Sequence, residues 1–132
     1  MKIENHLKKI ERLENTCSKL DDIEEDYEVL VELYMLMAAH YINATLHKLG
    51  VLNMSKDIKH NKLFSFLKEG QKLGSATEEV RDSMKKLDDL RPSHVYGTGE
   101  NGNTALKAKE YYETIKNICL GELDERKSQD SN

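Results

Sequence analysis

"YEVLVELYMLMAAHYINATLHKLG", residues 27–50, is the stretch that decides the fold. Across 29–39 almost every side chain is apolar, and Glu32 is the only acid. A surface helix carries one apolar stripe; a helix that is greasy on most sides belongs in the middle of a bundle or at a subunit interface. The helical register takes in Ile23, Tyr27, Leu30, Tyr34, Met37, Tyr41, Ala44 and Leu49. Glu32, His40, Asn43 and His47 interrupt the apolar run, which argues for a buried core helix and against a membrane span. Gly50 is a natural C-terminal stop.

The flanking sequence is also helical. Ile3, Leu7, Ile10, Leu13, Cys17 and Leu20 recur every three or four residues and predict a first helix over 2–20. Asp21 with Glu24 reads as a capping pair that opens the second helix. A shorter third helix holds Ile58, Leu63, Phe64 or Phe66, and Leu67, and ends near Gly70 or Gly74. Ser75 and Glu78 form an S-x-x-E box before a fourth helix through Val80, Met84, Leu87 and Leu90, which Pro92 ends. After a glycine-rich loop, Asn103 or Thr104 caps a last helix. Its apolar face is Ala108, Tyr111 or Tyr112, Ile115, Ile118 or Cys119, and Leu123. The pattern predicts an all-α, up-and-down bundle of four to five helices in one domain, 1–125, with a disordered polar tail over 126–132.

Bulk properties bound the function. The 132 residues allow one real core, and a net charge of −4 excludes bulk cationic attraction to nucleic acid. Charge is uneven: 21–32 holds seven acids and no base, whereas 56–72 holds five bases and two acids. No export signal opens the chain, so the expected location is the cytoplasm, with Cys17 and Cys119 as packed thiols; a disulfide between them is the alternative.

Residues 94–103, "HVYGTGENGN", contain G-x-G-x-x-G at Gly97, Gly99 and Gly102. A dinucleotide turn needs a buried strand before it, and only Val95 and Tyr96 are there. Glycine-rich backbone entering a helix still exposes N–H groups, so Gly97, Gly99, Gly102 and Asn103 are candidate phosphate contacts; the alternative is a plain connection. Arg91, His94 and Tyr96 precede them and are the candidate catalytic set. His94 would take the 2′-hydroxyl proton of RNA, and Arg91 would balance charge on the phosphate. A second polar set, His40, Asn43 and His47 on one stripe of the second helix with His60 beyond it, marks a secondary cleft. Neither Glu-x-x-His nor H-E-x-x-H occurs, so spacing predicts no metal and no cofactor. Tyr27, Tyr34 and Tyr41 recur every seven residues, a packing seam or dimer contact before a base-stacking platform.

Three segments carry a resemblance: "LRPSHVYG" at 90–97 followed by "ALKAKEYYETIKNI" at 105–118, the tyrosine- and alanine-dense second helix, and "IKHNKLFSFLKEG" at 58–70. Over about 21–118 the chain resembles HEPN-domain proteins. That resemblance implies a helical bundle, commonly a homodimer, that binds RNA or a nucleotide. It further implies a metal-independent ribonuclease or a degenerate relative, sometimes beside a nucleotidyltransferase-like or antitoxin partner. Arg91 matches the family's motif arginine. His94 follows after two residues where the family has four to six, and Pro92 stands where a polar residue is common. The competing expectation is a non-enzymatic helical interaction module; a small metal-binding bundle comes third.

Overall fold

The computed structural model describes residues 1–20, 22–91 and 101–130, the side chains of 101, 102 and 125–130 excepted. It is all-α: α1 (Ile3–Ser18), α2 (Tyr27–Lys48), α3 (Leu63–Leu67), α4 (Thr77–Asp89) and α5 (Asn101–Asp130). Short 3-10 turns, His60–Lys62 and Gly74–Ala76, lead into α3 and α4. There is no strand among the described residues.

α2 is the axis of the packing. It contacts α5, α1 and α4, and α5 in turn packs on α4. Val31, Met37, Ala38, Ile42, Ala44 and Leu46 are fully buried although they point to different sides of α2, as a helix apolar all round must be. By length and hydropathy α2 could cross a membrane, yet 67% of its apolar window lies inside the fold. α5 lays Ala105, Ala108, Tyr112, Ile115, Cys119 and Leu123 on the core, which resolves the two open alternatives in favour of Tyr112 and Cys119. Tyr34 and Tyr41 meet the Tyr112 ring at 5.4 and 6.2 Å, so this part of the tyrosine seam is intrachain packing. Cys17 and Cys119 are free thiols, not a disulfide.

Several boundaries differ from the sequence pattern. α2 starts at Tyr27 instead of near residue 21. Asp21 lies outside the described residues, and Asp22 Oδ1 instead accepts from the backbone N–H groups of Glu24 and Glu25, 3.1 Å each, closing a separate turn. The box at Ser75 does not cap α4. Thr77, two residues later, accepts from Leu73 N–H at 2.9 Å and donates to the Gly74 carbonyl at 2.6 Å, and that hydroxyl fixes the entry. α5 begins at Asn101, so Gly102 and Asn103 belong to the helix, not to the loop, and it runs to Asp130, beyond the expected end at 125.

On α1 the stripe is turned from its expected register. Leu7 is 37% exposed, whereas its neighbour His6 is only 2% exposed. An imidazole takes the place an aliphatic side chain was expected to hold.

Candidate functional site: a histidine–aspartate cluster beside a cleft

The C-terminal end of α2 builds the site. Gly50 adopts φ +72°, a left-handed cap that glycine accepts without strain. The amides of Val51 and Leu52 fold back onto the Leu46 carbonyl at 3.0 and 3.3 Å. This reversal brings the Leu52 carbonyl to 3.0 Å from His47 Nδ1. The chain then returns along α2, where Asn43 grips it. Asn43 Nδ2 donates to the Ile58 carbonyl at 2.9 Å and to the Ala39 carbonyl at 2.9 Å, and Oδ1 accepts from Ile58 N–H at 2.8 Å. The buried amide thus fixes the backbone next to Asp57.

Asp57 Oδ1 lies 2.8 Å from His47 Nε2 and 2.9 Å from His6 Nε2. The Met1 ammonium sits 3.0 Å from Oδ2. His6 Nδ1 continues the chain to His40 Nδ1 at 2.8 Å. Burial pulls the Asp57 carboxyl upward, but hydrogen bonds from His47, the Met1 ammonium and His6 outweigh it and hold it down at about 2. An ionised carboxylate only accepts, so His6 donates from Nε2 and, as a neutral ring, accepts at Nδ1 from His40. Burial likewise lowers His6 despite the Asp57 contact, and burial with His6 and Lys9 nearby pushes His40 down to about 4. His40 is therefore neutral near pH 7, with a lone pair at Nε2.

His6, His40, Asn43, Asp57, Lys59 and His60 line a cleft of about 160 Å³ with the apolar Leu36, Ala39 and Ile58. At its edge His60 Nδ1 is 3.5 Å from Asp88 Oδ1 on α4. The geometry makes no hydrogen bond, and both buried atoms lack one. Asp88 Oδ1 is also 4.0 Å from Arg91 Nη1. Arg91 Nε donates to Glu32 Oε1 on α2 at 2.7 Å. The cation that was expected to be a bare phosphate contact is thus held by carboxylates from α2 and α4, one step from the cleft.

Of the predicted site residues, the structure brings His40, Asn43, His47 and His60 into one neighbourhood, with Arg91 joined through Asp88. His94, Tyr96, Gly97 and Gly99 lie outside the described residues; Gly102 and Asn103 are in α5. His6 and Asp57 were missed. His6 occupies the register between Ile3 and Ile10, where a polar residue on an apolar stripe was the available signal. Asp57 sits in a connection with no periodicity. Only folding joins His6, His47 and Asp57, whose ligand atoms lie within 4.8 Å of one another; sequence spacing conceals the set.

No family model, no curated protein and no solved structure matches this chain.

Proposed function

We propose that this chain is a HEPN-like up-and-down helical bundle that binds the phosphate of RNA or of a nucleotide at the cleft beside α2. One observation carries the reading: His40, Lys59 and His60 line one small cleft, and Asp88 links His60 to Arg91. A volume of about 160 Å³ is below the usual range for a whole drug-sized ligand, so it suits a phosphate with base and sugar outside. The Lys59 ammonium, the Arg91 guanidinium and an N–H of His60 donate hydrogen bonds to phosphate oxygens without demanding a basic protein overall, while His40, its N–H given to His6, only forms the wall. An incoming phosphate competes with Glu32 for Arg91, and ligand binding and opening of that ion pair are one event.

The test is fluorescence anisotropy with a labelled single-stranded RNA and, separately, a labelled nucleoside triphosphate, both in chelator. Saturable binding is expected to weaken at least about tenfold, or 1.4 kcal/mol, in His60→Ala and in Arg91→Ala. Release of a cyclic phosphate end would identify a ribonuclease; binding without cleavage would identify a degenerate relative. No saturable binding of either probe removes the proposal. The Glu32–Arg91 pair at 2.7 Å favours a second reading, a non-enzymatic interaction module in which Arg91 only ties α4 to α2. Under that reading Arg91→Ala changes stability and no ligand affinity. Homodimerisation and a nucleotidyltransferase-like or antitoxin partner belong to the first proposal, and co-purification with a neighbouring gene product tests them.

A further inference from the structure

We infer that His6, His47 and Asp57 form a binding site for one divalent transition-metal ion of the zinc class. The inference is independent of the phosphate reading, because other atoms carry it. Two imidazole nitrogens and one carboxylate oxygen suit zinc, cobalt, nickel or ferrous iron; magnesium and calcium prefer all-oxygen sets.

The geometry is within side-chain reach of a metal site. Ligand atoms around a tetrahedral ion with bonds of about 2.0–2.2 Å stand roughly 3.3 Å apart. Here the two Nε2 atoms lie 2.8 and 2.9 Å from Asp57 Oδ1, and the three donors fall within 4.8 Å. The two oxygen–nitrogen separations widen by about half an ångström, and the widest donor spacing closes by up to about 1.5 Å, to seat an ion among them.

The surrounding contacts are those that orient metal-bound imidazoles. His47 Nδ1 faces the Leu52 carbonyl at 3.0 Å, so that nitrogen donates; the proton that Nε2 gives to Asp57 in the ion-free chain leaves to solvent as the ion binds, and Nε2 then offers its lone pair. His6 Nδ1 faces His40 Nδ1 at 2.8 Å, and this contact survives if the proton moves to the His6 side and His40 carries its own on Nε2. His6 Nε2 then also becomes a lone-pair donor. The tautomers of two rings reverse without moving a heavy atom. Asn43 fixes the backbone beside Asp57, and the Met1 ammonium engages Oδ2, leaving Oδ1 toward the histidines.

Burial supports the same assignment. His6 and His47 are 2% and 5% exposed. Both rings are partnered in the ion-free chain, His6 by Asp57 and His40, His47 by Asp57 and the Leu52 carbonyl, and an ion would replace the Asp57 contacts with coordinate bonds in a site where both rings are closed to bulk water. His6 and Asp57 also line the cleft, so a remaining coordination position is within reach of water or a bound ligand.

The experiment uses the full chain, stripped with chelator, desalted and titrated with cobalt(II), with metal content read by elemental analysis. One cobalt per chain is expected, with visible d–d bands of a low-symmetry nitrogen–oxygen site that zinc bleaches by displacement. Asp57→Asn preserves shape on an exposed residue and is expected to weaken binding at least about a hundredfold, as is His47→Gln. His40→Gln, which touches only the outer contact, is expected to cost about tenfold. Asp89→Asn, a surface carboxylate elsewhere, is expected to bind as the parent does. Far-UV circular dichroism checks that each variant keeps its helices. The inference is overturned if the parent binds less than one ion per chain, or if Asp57→Asn with parental helicity binds cobalt as tightly as the parent.

Discussion

His40→Gln, compared with the parent chain in chelator between about pH 7 and about pH 5, isolates the acid sensitivity of the cluster. His40 packs among His6, Lys9 and Asp57, and its protonation falls from the ordinary 6.5 to about 4. The folded chain therefore resists a proton that the unfolded chain accepts. As pH drops below 6.5 the unfolded state gains protons first, so stability declines until about pH 4, where the folded ring also protonates. For one group with those two values the loss at about pH 5 is roughly 2 kcal/mol, a sizeable part of a small domain's stability. His6 is shifted the same way and adds to the slope. Asp57, held at about 2, keeps its charge throughout this window and contributes no slope there. Urea unfolding followed by far-UV circular dichroism at both pH values gives the measurement. Glutamine keeps a donor for His6 but does not titrate, so the variant should lose about 2 kcal/mol less than the parent over the same interval. A variant whose stability falls as steeply as the parent's would falsify the reasoning.

Other expectations follow from single contacts. Gly50→Ala meets no atom within 4 Å, so its cost is backbone strain at φ +72°, about 1 kcal/mol in urea; an unchanged midpoint would contradict the left-handed cap. Tyr112→Phe removes the hydroxyl that donates to Glu14 at 2.5 Å and is expected to cost about 1–2 kcal/mol, while the Lys116–Glu14 pair at 2.8 Å persists. Burial, with Glu14 near the first, pushes the Cys17 thiol up to about 11. Burial, only partly offset by Thr45, takes Cys119 up to about 12. Neither thiol should react promptly with iodoacetamide at neutral pH in the native chain, and both should react in urea; rapid native alkylation of Cys119 would contradict its burial.

The helices were legible because their signal is local. Residues 29–39 carry enough consecutive apolar side chains to call for a helix in the middle of a bundle or at a subunit interface, and Ala108, Ile115 and Leu123 repeat at a period no strand would use. Helix starts were less legible. The S-x-x-E pattern at Ser75 competed with a threonine two residues on whose hydroxyl reaches backbone groups on both sides of the turn. The site was legible only in part. His40, Asn43 and His47 share a stripe and were visible as a set. Their purpose was not, because Asn43 acts on the backbone of Ile58 and His47 acts through Asp57. These partners are 15 and 10 residues away across an irregular connection, where no periodicity predicts the return path. Arg91 was visible as a cation before a helix break, but not its capture by Glu32, a residue 59 positions earlier.

His6 rides on α1, whereas the groups it meets belong to α2 and to the connection after it. Docking of the sixteen-residue first helix and integrity of the cluster are consequently a single equilibrium. Anything that grips the imidazoles also clamps the amino-terminal segment, and anything that peels that segment away dismantles the grip, each by the same free energy. Slowed amide exchange across Ile3–Ser18 is then a remote report of occupancy, readable without a probe at the cleft itself.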